Sequence, residues 1–536
     1  MRGDDARPNF LLVLTDSWRA DYDGFARHTN SSIVHRPPHL RLPEFHRLAA
    51  RGALFQHAFT SAPLCTPARI TLLTGRDYDA ASAPGQSQSS VLPTSFSTLY
   101  SELSRLGYYT MQSGYIPSGK APQALGRHPW TLNATAHTAH KEHIWQMPLG
   151  WELGDTYHTW LQQNRSVCGT DGFAAFKRDW AARLTYRSCG SCAAPPAVIP
   201  GPTARAGGGT RSVNVDALGR GCQFPDALGH DDFAARRALE LLGDAPESVP
   251  WMLTVDLVAP HPPFLRTHRP RTGQPCTYAR GEREFERCRY AADIEHVDEL
   301  LGQILGAPRV AAGAPLTMVT SDHGEMLWDR GLWGKGVPFR SAVAIPLVVA
   351  GADVPEGVRL HAPVSLIDVT ATFLDYAGAS PARLHAIGMT ATSFRPLLTP
   401  ERSRHHNHTR RAVRIGLDAW RALVGPVESA PLAPLIKLIR APCRGGSCVS
   451  CVSGLAPGSK CAKVPGAACL CEAAFDLSAD PDERRPLSPH HTALAAHALH
   501  AAGLLPSSHR SRNESQVTPF EKRGPPSSRY GTQVGF

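Results

Sequence analysis

Three apolar runs stand out along this chain: Phe10-Leu11-Leu12-Val13-Leu14-Thr15, Trp251-Met252-Leu253-Thr254-Val255-Asp256-Leu257-Val258 and Leu316-Thr317-Met318-Val319-Thr320. Apolar runs without regular polar alternation predict strands buried on both faces, as in a parallel sheet. Between them the apolar positions recur at helical spacing. Leu42 to Arg51 reads as a helix closed by Gly52. Cys65 to Thr74 reads as a short amphipathic helix with Pro67 in its first turn, where a missing N–H costs nothing. Leu99 to Leu106 reads as a further helix and Tyr290 to Leu305 as an amphipathic one, and Ala53 to Phe59 and Tyr108 to Gln112 as short strands. Strands alternating with helices predict an α/β fold: a large mixed, mostly parallel sheet covered by helices on both faces. After about residue 400 the pattern changes. Strands near Arg414 to Leu423 and Leu435 to Ile439, followed by a Cys-rich insert, predict a smaller C-terminal α+β subdomain over residues 401–505. Residues 8–400 form the main domain in this reading, and the polar residues 506–536 a flexible tail.

The polar residues that interrupt this pattern are not scattered. Asp16 follows the first apolar run, His261 follows the second within Pro260-His261-Pro262, and Asp322-His323-Gly324 follows the third. In open α/β sheets, active sites lie outside the carboxyl ends of the strands. Asp16, His261, Asp322 and His323 are therefore expected to converge. The carboxylates and the imidazole suit a hard divalent cation, and a loop histidine suits proton transfer. Taken singly, each reads as readily as a cap, a turn residue or an exposed loop.

Composition narrows the partners. The chain has 536 residues and a net charge of +10, which favours anionic ligands. It shows no Lys/Arg-rich helix and no basic-aromatic alternation, so no nucleic acid is expected. No run approaches the ~20 apolar residues of a membrane span. The start, Met1-Arg2-Gly3-Asp4-Asp5, carries no apolar signal segment. Thirteen cysteines point the other way, because setting Cys65 aside leaves twelve, enough for six disulfides. Asn-x-Ser/Thr sequons stand at Asn30, Asn133, Asn164, Asn407 and Asn513. The expected location is the secretory pathway, lysosomal or extracellular. Residues 188–211 read as a loop insertion pinned by Cys189 and Cys192. The insert with Cys443, Cys448, Cys451, Cys461, Cys469 and Cys471 reads as disulfide-pinned, with zinc as the other reading.

Leu64-Cys65-Thr66-Pro67-Ala68-Arg69, followed by Leu72-Leu73-Thr74-Gly75-Arg76, is the most specific motif. Alone, Cys65 reads as a small buried hydrophobe or half a disulfide. With the proline and arginine at this spacing, it resembles the signature of the sulfatases, formylglycine-dependent enzymes of the alkaline-phosphatase-like superfamily. Other segments are similar to that family in the same order. They are Leu42 to Ala49, Ala259-Pro260-His261-Pro262-Pro263, Ser321 to Glu325 with Gly334-Lys335-Gly336, Val364 to Val369, and Phe475-Asp476-Leu477 to Glu483.

The resemblance implies that Cys65 is oxidised to formylglycine by a formylglycine-generating enzyme, and that its hydrate attacks the sulfur of a sulfate ester. It implies a divalent metal, calcium first, on Asp16, Cys65, Asp322 and His323. A histidine ligand is less typical of calcium and leaves magnesium or manganese open. It further implies that Arg69 holds the hydrate, that His261 protonates the leaving oxygen or binds sulfate, and that Lys335 binds a sulfate oxygen. The substrate would be an aryl or carbohydrate sulfate, including a sulfated glycan. Two positions depart from the family pattern. Ser17 stands where a second Asp is usual, an Asp-Ser pair similar to the arylsulfatase K branch. Gly114-Tyr115-Ile116-Pro117 stands where Gly-Lys-x-His is usual, with Lys120 nearby. These departures keep two other readings open: a phosphodiester or phosphonate hydrolase of the same superfamily, or a catalytically weak protein that binds sulfated glycans.

Overall fold

The structure, a computed structural model, describes residues 7–25, 39–81, 92, 95–114, 197–199, 211–213, 230–262, 264, 266, 269–276, 281–351, 353–398, 412–418, 420–426, 435–442, 461–462 and 470–501. All five sequons, Lys120, Tyr115, Cys189, Cys192 and the 506–536 tail lie outside these residues, as does most of the Cys-rich insert.

The main sheet has seven strands. They are β1 (Phe10–Thr15), β2 (Gly52–Phe55), β4 (Tyr109–Gly114), β5 (Trp251–Leu257), β6 (Leu316–Ser321), β8 (Leu347–Ala350) and β9 (Val358–Leu360), in the order β9-β2-β8-β6-β1-β5-β4. β1 lies at the centre of the parallel half, paired in register with β5 and β6. β4 continues that half beside β5, and β8 alone runs antiparallel to its neighbours. A small second sheet joins β3 (Ala58–Phe59) to β7 (Ala344–Ile345) and β10 (Val364–Ser365).

Side-chain alternation along β1 divides the core in two. Leu11 and Val13 face one side, with Phe45 and Leu48 of α1 (Pro43–Ala50), Phe233 and Leu241 of α4 (His230–Asp244), and Ile294 and Val297 of α5 (Glu282–Gly306). Phe10, Leu12 and Leu14 face the other. There they meet Ala68 and Ile70 of α2 (Cys65–Thr74), Tyr100 and Leu103 of α3 (Leu99–Arg105), and Val369 and Phe373 of α6 (Leu366–Tyr376). The doubly covered α/β sheet is the expected one. Each buried apolar side chain of β1 contributes about 2 kcal/mol.

The C-terminal sheet is antiparallel, in the order β11-β12-β13-β15-β14. Its strands are β11 (Val413–Leu417), β12 (Trp420–Pro426), β13 (Leu435–Pro442), β14 (Cys461–Ala462) and β15 (Leu470–Asp476). One face carries α7 (Pro489–Ala501), with Leu499 against Leu438. The other shares a core with Phe59, Ala62, Tyr78 and Val343.

Four local expectations need correction. Gly52 does not cap α1; it opens β2, where an added Cβ would lie 2.2 Å from the Val349 carbonyl oxygen. Ala53 to Phe59 is not one strand, because the chain leaves the main sheet after Phe55 and joins the small sheet at Ala58. The segment from Arg414 to Leu423 is a hairpin, turning at Asp418 with φ +47°. Neither α2 nor the middle of α5 is amphipathic in place. All ten residues of α2 are buried. In α5, Asp293, Glu295 and Asp298 are buried as well. Their carboxylates accept from the main-chain N–H groups of Arg266, Arg41 and Phe45 at 3.2, 3.2 and 2.8 Å, and Arg269 and Arg271 pair with Glu295 and Asp298.

Candidate active site

β1, β5 and β6 end side by side, and α2 begins opposite them. Leu64 is extended, and Cys65 takes the first helical position. Gly75 closes the helix in the left-handed conformation, at φ +61°. The geometry aims the helix start, with its positive dipole end, at the strand ends.

The convergence of strand ends is observed. Ligand atoms of Asp16, Cys65, Asp322 and His323 all lie within 4.8 Å of one another, and all four residues are buried. Cys65 Sγ is 3.2 Å from His323 Nε2 and 3.7 Å from Asp16 Oδ1. His323 Nδ1 faces the Gly324 carbonyl at 2.9 Å. Donation there places the Nε2 lone pair toward the cluster, the tautomer a metal ligand needs. Burial, with Lys335 adding to it, holds His323 well below the usual imidazole range and therefore neutral. Two hard carboxylates and a neutral imidazole around one buried point fit a divalent cation.

Arg69, one turn into α2, ties the strand ends together. Its Nε donates to Asp322 Oδ2 at 3.0 Å, Nη2 reaches Asp16 Oδ2 at 3.4 Å, and Nη1 donates to Asp256 Oδ2. Lys335 Nζ sits 3.3 Å from Ser17 Oγ and 3.6 Å from Asp16 Oδ1. Burial pulls the Lys335 ammonium down, but Cys65, Asp16 and Asp322 outweigh it and hold it above its usual range. Burial opposes ionisation of Asp16, yet Lys335, His261, His323 and Arg69 together hold its carboxyl well below the ordinary value. Asp322 moves oppositely, raised by burial and by the charge of Asp16. Burial and the same neighbour push the Cys65 thiol up to about 12. His261 is buried after β5, and burial with Lys335 lowers it to about 4.

Ser17, at the position of the missing second carboxylate, is held at φ +72°. Its N–H donates to Asp322 Oδ1 at 3.1 Å and its hydroxyl to Asp16 Oδ1 at 2.9 Å. The serine thus orients both carboxylates. Two acidic residues escaped the sequence reading. Asp256 stands inside an apolar strand, and a lone carboxylate in such a run was the available signal. Burial raises it to about 7 against the pull of Arg69. Asp231 carried no signal. It accepts the N–H groups of Val258 and Ala259 at 2.7 and 2.8 Å, fixing the segment that leads to His261. Gly114 ends β4 at φ +110°, where a Cβ would lie 1.8 Å from the Asp256 carbonyl oxygen, so only glycine fits.

The sulfatase family profile matches residues 8–142 and 154–379. The chain belongs to the sulfatase family. It is 25% identical over 424 residues to a choline-sulfatase of Rhizobium meliloti (strain 1021), covering 70% of this chain and 68% of that protein. To an arylsulfatase K of Danio rerio it is 24% identical over 407 residues, covering 73% and 68%. Its fold is similar to the crystal structure of a phosphonate monoester hydrolase of Agrobacterium radiobacter. The TM-score is 0.57 at 20% identity, over 93% of this chain and 94% of that one. Family membership supports a hydrolase acting on sulfate esters and implies a divalent metal. No helix among the described residues is long and apolar enough to cross a membrane.

Proposed function

We propose that this sulfatase hydrolyses aryl or carbohydrate sulfate esters with formylglycine made from Cys65. The carrying observation is the position of Cys65 at the buried start of α2, in one cluster with Asp16, Asp322 and His323. A divalent cation held by Asp16, Asp322 and His323 would supply Lewis-acid stabilisation of the sulfate oxygens. Arg69 holds the hydrate and offsets charge, and Lys335 binds a sulfate oxygen and helps stabilise the leaving group. The hydrated aldehyde provides one hydroxyl to attack sulfur, breaking the ester S–O bond. The attacking hydroxyl gives up its proton to solvent; the second hydroxyl then does the same as the carbonyl re-forms, the C–O bond to the sulfate group breaks to release sulfate, and one water re-hydrates the aldehyde. His261 donates a proton to the leaving oxygen. It is neutral in the free site, and the negative sulfate beside it favours its protonated form.

The Cys276–Cys288 disulfide favours an oxidising compartment, consistent with a secretory, lysosomal or extracellular enzyme matured there by a formylglycine-generating enzyme. Mass spectrometry of the Cys65 peptide, from a host with that maturation enzyme, should show loss of the thiol in step with turnover. Full activity with an unmodified thiol would sink the reading. A phosphonate or phosphodiester substrate is the second reading, favoured by the likeness to the phosphonate monoester hydrolase. Faster turnover of aryl phosphonates than of aryl sulfates would select it.

A further inference from the structure

The loop that carries Lys335 is held from within by Glu325, which accepts the N–H groups of Leu327 and Gly334, and from outside by other segments. Leu327, Trp328 and Arg330 all have positive φ, at +45°, +70° and +56°. Non-glycine residues hold this conformation only where surroundings over-determine it. The main domain supplies part of these surroundings, where Arg287 donates to the Leu327 carbonyl and Arg19 pairs with Asp329, and the C-terminal sheet supplies the rest. Glu483, itself at φ +55°, follows β15 and meets the loop from both sides. Its carboxylate accepts the Arg340 N–H at 3.0 Å, and the Arg330 guanidinium donates to its carbonyl and, at 3.2 Å, to that of Asp482. The other carboxylate oxygen pairs with Lys437 of β13, the two side chains being 1% and 0% exposed. A fully buried ion pair is a poor source of net stability, so its presence calls for another role. Next to Lys335 itself, Gly336 is held between two segments. Its N–H donates to Pro63, two residues before Cys65, at 2.9 Å, and its carbonyl accepts Trp420 Nε1 of β12 at 3.2 Å.

We infer that Glu483, seconded by Trp420, is a positioning residue that sets the place of the Lys335 ammonium in the sulfate site from the C-terminal sheet. The inference rests on the reading of Lys335 as a sulfate ligand. Glu483 touches no reacting atom; it acts through Arg330, Arg340 and the turns between them. The buried pair fixes where its carboxylate points, which an apolar contact would not.

The test uses matured, metal-loaded full-length protein. K437M/E483L removes both charges together, avoiding an unpaired buried ion, while K437M/E483Q keeps an acceptor for the Arg340 N–H. The leucine variant should weaken binding of inorganic sulfate and raise KM about tenfold, the scale of one lost charge-assisted hydrogen bond. The glutamine variant should recover most of that, and W420F should show a smaller shift in the same direction. Hydrogen exchange of residues 326–340 should quicken in the leucine variant and return in the glutamine one. Unchanged sulfate affinity, KM and exchange in K437M/E483L would overturn the inference, as would equal defects in the leucine and glutamine variants. Should the leucine variant not fold, W420F decides by the same readouts. K335A separates the two readings: if it binds sulfate normally, Lys335 is not the ligand, whereas the exchange result still stands or fails alone.

Discussion

At the scale of single residues, the site is organised by Arg69, whose three donor nitrogens each face a different carboxylate. Asp256 is the one member outside the proposed metal cluster, so its removal tests orientation without touching a ligand. D256A should cost about 3 kcal/mol of stability, because the guanidinium stays buried with fewer partners. Turnover should fall by up to about 100-fold, the usual penalty for small misplacement of a group in a reaction site. D256N, which keeps the shape and one acceptor, should be milder in both. In an R69A background D256N should add little further loss, a cycle read from denaturation and kinetics on the same preparations. His261 carries a different expectation. A proton donor matters most when the leaving oxygen is basic. H261A should therefore slow a carbohydrate sulfate by about 100-fold or more and a nitrophenyl sulfate much less. Equal losses on both esters would assign His261 to sulfate binding instead.

At the scale of elements, what was legible in the sequence divides by cause. The three central strands could be read because burial on both faces leaves an apolar run with no competing explanation. Asp16, Asp322 and His323 followed from where those runs stop. The split between β2 and β3 could not be read, because nothing at Gln56-His57 marks a change of sheet. Nor could the buried carboxylates of α5, whose partners are N–H groups and arginines on other segments of the chain. His296, on the same helix, shows what such burial does. Its Nε2 lies 2.9 Å from Asp232 of α4 and its Nδ1 3.3 Å from Glu299, with Arg266 also facing it. Burial and Arg266 lower its affinity for protons, and the hydrogen bonds to Asp232 and Glu299 more than compensate, leaving it above the ordinary 6.5. A folded-state value above the unfolded one means the folded protein binds the proton more tightly. The stabilisation is then complete below about 6.5 and is lost as pH rises through the folded-state value. H296Q should melt below wild type at pH 6, and the gap should close by alkaline pH in thermal scans. A gap independent of pH would mean that the helices are joined here by packing alone.

At the scale of the molecule, the C-terminal sheet behaves as part of the wall behind the site. Val413, Ile415, Leu417 and Phe475 pack in one core with Phe59, Ala62, Tyr78 and Val343, which flank α2 and the small sheet. Gly416 N–H donates to the Ser61 carbonyl at 2.9 Å and Asp418 N–H to the Tyr78 hydroxyl at 3.0 Å, so polar groups of the two parts satisfy each other as well. The segment from Ser61 to Tyr78 includes Cys65 and Arg69, and the sheet covers part of its surface. A chain ending at residue 400 would leave this surface bare. Burying it is worth about 2 kcal/mol for each large side chain, a large share of the stability of any domain. Such a chain should aggregate or bind a hydrophobic dye, and in its soluble fraction Cys65 peptide should remain reachable by proteases. The full chain should unfold in a single transition, detected alike by tryptophan fluorescence and circular dichroism. Two separated transitions, with the first leaving the 1–400 signal native, would show instead that the sheet is an independent module resting on a self-sufficient sulfatase core.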